Sequence, residues 1–186
     1  ASMNLEFFAY PFLFAAIYFE DFLIVTFLST PAKADRDRAR GFQTPSVAMI
    51  VPCYNEGGTV RGTAESLLAL DYPKDKLRII LVNDGSTDTT AEVMDTFADN
   101  PQVMVVHQQN GGKHTALNAG IALASTSDLI GCLDADSFVE ADALKEIVPC
   151  FENVRVGAAT AAMSVNKPDN FIEHMQNAEY ILGIAL

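Results

Sequence analysis

"LRIILVNDGSTD", residues 77–88, decides how this chain folds. An apolar run broken only by Arg78 closes on Asn83 and Asp84 and then on a Gly-Ser-Thr-Asp turn, the pattern of a short buried strand. The same pattern recurs in "SVAMIVP" (46–52), "QVMVVHQ" (102–108), "DLIGCLDA" (128–135) and "RVGAATAAMSV" (155–165). Between these runs, residues 58–70, 88–98, 112–125, 140–151 and 170–186 carry apolar side chains at three- and four-residue spacing and read as helices. Strands that alternate with helices imply right-handed crossovers. The expected fold class is therefore α/β, a mostly parallel sheet with helices on both faces, and its ligands should bind at the carboxyl ends of the strands.

The chain has 186 residues, enough for one ordinary domain with an appendage. It is 49% hydrophobic with a formal net charge of -12, which argues against nucleic acid as a partner, because phosphate neutralisation needs clustered Lys and Arg. Cys53, Cys132 and Cys150 are odd in number and dispersed, so neither a disulfide framework nor a zinc site is expected.

The N-terminal part differs in character. Residues 4–30 are read as a hydrophobic helix, transmembrane or interfacial, because Leu5 to Ser29 is nearly all apolar. Glu20 and Asp21 interrupt it, so the segment needs a partner or an interfacial position to offset its acids. A buried core helix is the competing reading. Residues 31–45, with Lys33, Arg36, Arg38 and Arg40, read as a juxtamembrane linker. Basic residues on this side place the following domain, residues 46–186, in the cytoplasm with the chain at the membrane.

The unusual chemistry lies at the expected strand ends. "PCYNEGG" (52–58), "NDGSTD" (83–88), "QQNGGKHTALN" (108–118) and "DADSF" (134–138) bring four loops to one edge. Asp134 and Asp136 flank Ala135, and on an extended chain both would point to one face, where two like charges need a cation between them. Their bland alternative is a solvated turn. Lys113 opens a helix, where a cation opposes the dipole unless an anion is bound. Two carboxylates, a nucleotide diphosphate and a divalent cation together make an oxygen-rich site suited to Mg or Mn. Asp84 could accept the ring N–H of uracil, or could merely cap the turn that follows it. Asp88, with Glu92 behind it, is the stronger cap candidate for the next helix. Tyr54 could stack on a base or sit half-buried at the domain edge. Glu56, in a Gly-flanked loop, gains nothing from packing. A dinucleotide oxidoreductase is disfavoured, because the first strand is followed by "PCYNEGG" and not by a G-x-G-x-x-G loop.

Taken together, "VPCYNE", "VNDGSTD", "NGGKHTALNAG" and "DADS" resemble the nucleotide-binding half of family 2 inverting glycosyltransferases with the GT-A fold. The membrane-bound processive branch, such as poly-N-acetylglucosamine, hyaluronan and cellulose synthases, is nearest in character. The resemblance implies a metal-dependent transferase that takes a UDP-sugar, UDP-GlcNAc above others, and builds a polysaccharide on a saccharide or lipid-linked acceptor. It implies a donor site from Pro52, Tyr54, Asn55, Glu56, Asp84, Gly85, Lys113, Asp134 and Asp136. Within it Tyr54, Glu56 and Asp84 meet the uridine, Lys113 meets the diphosphate, and Asp134 and Asp136 meet the ribose, diphosphate and metal. The family's catalytic base lies in a later acidic motif, expected beyond Leu186. Glu173, His174 and Glu179 offer substitutes, but they read first as the polar face of a helix. Sugar transfer to a lipid phosphate, as in dolichyl-phosphate mannose synthases, and donor binding without turnover are the alternatives.

Overall fold

A computed structural model describes residues 17–19 and 44–161. Ile17–Phe19 are helical and exposed. The remainder of the expected hydrophobic helix, most of the linker and the helix expected over 170–186 lie outside the described residues. Among the described residues no helix is long and apolar enough to cross a membrane. The sheet and its helices belong to a compact unit, Ala39–Ala159.

Four parallel strands form the sheet: β1 (Val47–Cys53), β2 (Leu77–Asp84), β3 (Val103–Gln108) and β4 (Leu129–Cys132), in the order β3-β2-β1-β4. The register pairs Val47 with Leu77 and with Leu129, and Ile79 with Val103. Alternation along the strands divides the core in two, as side chains of period two must. Val47, Met49, Val51, Leu77, Ile79 and Leu81 face one layer, where α1 (Val60–Leu68) and α2 (Thr90–Asp95) bring Val60, Ala64, Leu67 and Met94. Ala48, Ile50, Ile80 and Val82 face the other, under α3 (Lys113–Leu123). The expected α/β class with helices on both faces is thus the one found.

Chain direction explains which helix takes which face. From β1 the chain steps outward to β2 and β3, then returns past β1 to add β4 on its far side. Right-handed crossovers in opposite directions put α1 and α2 on one face and α3 on the other. On α3, Ala116 and Gly120 turn a small-residue side to the sheet; a Cβ on Gly120 would lie 2.4 Å from Ile50 Cγ2. The helix therefore rides close on β1.

The helices and β4 come out shorter than expected, and one expected strand does not form in its described part. α4 (Ala143–Ile147) passes into a 3-10 turn over Val148–Glu152, because Pro149 has no N–H to continue the α pattern. α2 ends at Asp95, in a chain that must turn before Pro101. The strand expected over 155–165 is not formed in its described part: residues 156–161 have no regular structure. Gly157, Ala158, Ala159 and Ala161 supply few of the branched side chains that favour a strand.

Candidate functional site

Where the chain reverses its direction of travel, between β1 and β4, the loops after the two strands diverge and leave a crevice at their carboxyl ends. A cleft of about 440 Å³ occupies this position. Pro52, Cys53, Tyr54 and Glu56 line it from the end of β1, and Asp84 from the end of β2. Asn110, Gly112, Lys113 and Ala116 close it from the start of α3, and Asp134, Ala135 and Asp136 from beyond β4. Seven of the nine expected site residues therefore meet in one place. Asn55 and Gly85 do not line the cleft.

Those two residues hold the walls. Asn55 adopts a left-handed backbone (φ 56°), tolerable for Asn, and its side-chain oxygen accepts from the Thr87 N–H at 2.9 Å while its own N–H donates to Ser86 Oγ at 3.0 Å. The loop after β1 is thereby tied to the loop after β2. Asp88 adds a second tie: it accepts from the Thr90 N–H at 2.9 Å and from the Gly57 N–H at 3.0 Å. The N-cap position expected for Asp88 falls instead to Thr89, whose side chain makes no capping bond; Asp88 sits one residue earlier and holds the first helical N–H and the neighbouring loop. These bonds hold its carboxyl below the ordinary value, the Thr90 hydroxyl contributing most. Gly85 takes φ +69°, and a Cβ there would lie 2.6 Å from the Asn110 backbone nitrogen. Only glycine lets the third loop come this near.

Asp84 is the corner post. It is 2% exposed and accepts from Gln108 Nε2 at 2.7 Å, the Gly111 N–H at 3.0 Å and the Gly112 N–H at 2.8 Å. Burial pushes its pKa up, but the bonds from Gln108, Gly111, Gly112 and Thr115 together outweigh burial and hold the carboxyl below its ordinary value. It stays ionised, and it folds the "NGG" loop against the sheet. Asp84 was expected to be free for a ligand; instead both its oxygens already accept bonds from this loop, with Oδ2 bonded only to Gly112.

The acid pair sits differently from its expected place. β4 ends at Cys132, and Asp134–Ser137 form a turn closed by the Ser137 N–H on the Asp134 carbonyl at 3.1 Å. The two carboxylates thus share a turn and not an extended strand, so alternation along a strand is not what brings them together. Thr63 of α1 fixes the turn: its buried hydroxyl donates to the Ala135 carbonyl at 2.8 Å. Asp134 and Asp136 are exposed. Lys113 Nζ lies 2.6 Å from Asp134 Oδ1, with both side chains more than half exposed. Asp136 takes the Ser137 hydroxyl at 3.3 Å.

Elsewhere in the cleft, Tyr54 is half-exposed, with its ring open to a planar partner. Glu56 accepts from Thr59 Oγ1 at 2.7 Å, and its carbonyl takes the N–H groups of Thr59 and Val60. Cys53 is buried, and desolvation with the nearby Glu56 pushes its pKa up to about 12, so it remains a thiol and is no nucleophile. Asn110, Gly112 and Thr63 escaped the sequence reading. Asn110 and Gly112 stand inside the "QQNGGK" loop that was singled out, but the part Thr63 plays rests on a contact 72 residues away.

A divalent cation can be tested against this donor set. Among the described residues no group of three or more His, Cys, Asp or Glu side chains could hold a metal by itself. Asp134 and Asp136 supply two exposed carboxylates and no soft donor. That suits a hard cation of the Mg type, which takes one or two carboxylates and completes its shell with phosphate oxygens and water. The residues fit such an ion when a diphosphate is present.

Parallel sheet, switch-point cleft and paired acids define an α/β domain with an open cleft at the carboxyl ends of its strands, and comparison with known proteins gives its family. The family model for glycosyl transferase family 2 matches residues 48–184. The chain belongs to that family. It is 36% identical over 140 residues to a poly-beta-1,6-N-acetyl-D-glucosamine synthase of Staphylococcus epidermidis, a match covering 74% of this chain and 33% of the relative. A synthase of the same name from Staphylococcus aureus is 37% identical over 136 residues, covering 72% and 32%. The chain thus spans about a third of the length of these relatives. Among solved structures, the mannosyltransferase PcManGT from Pyrobaculum calidifontis, in complex with GDP-Man and Mn2+, superposes with a TM-score of 0.63 at 26% identity, covering 88% of this chain and 48% of that one. S. aureus TarS 1–349 in complex with UDP-GlcNAc shares the fold, with a TM-score of 0.53 at 22% identity over 66% of this chain and 38% of TarS.

Proposed function

We propose that this domain is the donor half of a sugar transferase that binds a UDP-sugar with a divalent cation, passes the sugar with inversion to a hydroxyl acceptor, and so extends a polysaccharide at the membrane. The observation that carries the reading is the convergence of Tyr54, Glu56, Lys113, Asp134 and Asp136 on one cleft at the switch point. UDP-GlcNAc is the favoured donor, because the synthases that this chain resembles are named for a polymer of N-acetylglucosamine. The membrane location rests on the apolar composition of residues 5–29 and the basic residues that follow.

In this reading the uracil stacks on Tyr54, and the Asp84 corner receives its ring N–H on Oδ2, which carries one bond from Gly112. Asp134 and Asp136 hold the cation, and Lys113 turns its ammonium to the diphosphate. When bound, the cation supplies Lewis-acid neutralisation of the departing diphosphate. Exclusion of water falls to the cleft walls that Asn55 and Asp88 tie together. The acids lining the cleft are Glu56, Asp84, Asp134 and Asp136, and each has a part on the donor side. Removal of the acceptor's proton is therefore assigned to a group outside the described residues, where Glu173, His174 and Glu179 also lie.

A second donor has one observation in its favour: PcManGT binds GDP-Man and covers 88% of this chain. Sugar transfer from GDP-mannose to a lipid phosphate is the function that would follow. Calorimetric titration with UDP, GDP and CDP, each with and without Mn2+, separates the two. UDP should bind most tightly, CDP should be weaker because cytosine lacks the ring N–H, and EDTA should weaken all three by removing the cation that holds the diphosphate. Tighter binding of GDP would replace the proposed donor, and equal affinity with and without Mn2+ would remove the cation.

A further inference from the structure

We propose that Lys113 is the built-in counterion of Asp134, and that it passes from this carboxylate to the nucleotide's diphosphate when cation and nucleotide arrive, so that each ligand binds well only with the other. The inference rests on the donor site proposed above and adds an order to it. Three observations carry it. Lys113 Nζ sits 2.6 Å from Asp134 Oδ1, so its positive charge already occupies one of the two oxygens that Asp134 offers a cation. The pair is exposed, with side-chain accessibilities of 61% and 58%, so neither partner is locked by packing and the ammonium can swing on its four-carbon stem. The backbone beneath Lys113 is fixed, because the Gly111 and Gly112 N–H groups are both held by Asp84.

The consequences follow from charge. A cation that comes alone meets the repulsion of the ammonium at Asp134, and seats itself there fully only by pushing Lys113 away from its partner. A nucleotide that comes alone draws Lys113 to its phosphates and leaves Asp134 bare beside new negative charge. When both come together, the cation takes Asp134 and Lys113 takes the diphosphate, and every charge is paired. Each ligand therefore raises the affinity of the other by the same factor. Apo, the site neutralises itself in part and does not collect free cations.

The test is Mn2+ binding, followed by the electron paramagnetic resonance signal of free Mn2+, to the 186-residue chain without nucleotide and with saturating UDP. Lys113 is exposed at a helix start, so its variants should fold. Without UDP, Lys113→Met should bind Mn2+ about threefold more tightly than the unmodified chain, the scale of an exposed ion pair removed. With UDP present, the same variant should bind Mn2+ about tenfold more weakly, having lost a charge-assisted bond to the diphosphate. Lys113→Arg keeps the charge and should follow the unmodified chain in both conditions. Nucleotide-free affinity in Lys113→Met that is unchanged, weaker or undetectable would overturn the counterion role. An undiminished gain from UDP in that variant would overturn the transfer to the diphosphate, and an arginine variant that behaves as the methionine does would overturn the dependence on charge. If the unmodified chain gains no Mn2+ affinity from UDP, the donor site itself is wrong and this inference falls with it.

Discussion

Asp84 and the pair Asp134 and Asp136 all face one cleft, yet they are built in opposite ways. Asp84 is buried and surrounded by donors, two of them backbone N–H groups of the loop it shapes. Asp134 and Asp136 stand on an exposed turn, and the cation beside Asp134 is a lysine on a flexible stem. A carboxylate that spends its lone pairs on its own loop makes the site's shape; one left in solvent keeps its charge for a ligand. The contrast separates an acid whose loss costs folding as well as binding from acids whose loss costs binding alone.

The largest effect is expected at the corner. Asp84→Leu leaves the Gly111 and Gly112 N–H groups without acceptors in a buried place, and should lower unfolding free energy by about 3 kcal/mol, measured by urea denaturation. A loss within about 0.5 kcal/mol, the range of an ordinary surface change, would deny Asp84 its part in holding the loop. At the other end, Asp136→Ala should leave urea stability unchanged but weaken metal-dependent UDP binding at least about tenfold, or 1.4 kcal/mol. Asp84→Leu should thus register in the stability assay, whereas Asp136→Ala should register in the binding assay alone.

Acidity sharpens the same contrast. The Asp84 carboxyl has a folded pKa below its unfolded value, so its contribution to stability is complete above the unfolded pKa and is lost as pH falls through the folded one. Stability should therefore decline with acid below about pH 4, the ordinary carboxylate range. Asp84→Asn should be less stable at neutral pH and show a shallower acid decline; an identical slope in the variant would deny Asp84 this role.

The smallest effect is expected at Thr63, which reaches the acid turn from below through the Ala135 carbonyl. Thr63→Val keeps the shape and removes the hydroxyl, so stability should fall by about 1 kcal/mol and UDP affinity by a few-fold. Affinity that falls as far as in Asp136→Ala would mean that the turn itself, and not its carboxylates, dominates.

The sequence made the fold legible because strand and helix periods differ and the apolar runs are short. β2 carries the boundaries expected of it, Leu77 to Asp84, and β1, β3 and β4 fall within or one residue beyond theirs. The loops that gather at the cleft were also legible, since Gly, Asn and Asp cluster at strand ends for reasons of backbone geometry. The division of labour among the acids was not. Asp84 and Asp134 both follow an apolar run, and only tertiary contacts, Gly111 and Gly112 on one and solvent on the other, tell them apart. Asn55 and Gly85 read as ligand contacts from their place in the motifs, while the structure uses them to join loops. The strand expected over 155–165 rested on length and hydrophobicity, and its alanines and glycine satisfy both without favouring an extended chain.

One measurement bears on all of this at once: the position of the manganese anomalous scattering peak in a crystal of the protein grown with UDP and Mn2+. The expected peak is bonded to carboxylate oxygens of the Asp134–Asp136 turn and to the diphosphate, with Lys113 withdrawn from Asp134 and Asp84 still holding the Gly111 and Gly112 N–H groups. A peak bonded to Asp84, or UDP bound outside the cleft with the turn empty, would contradict that assignment.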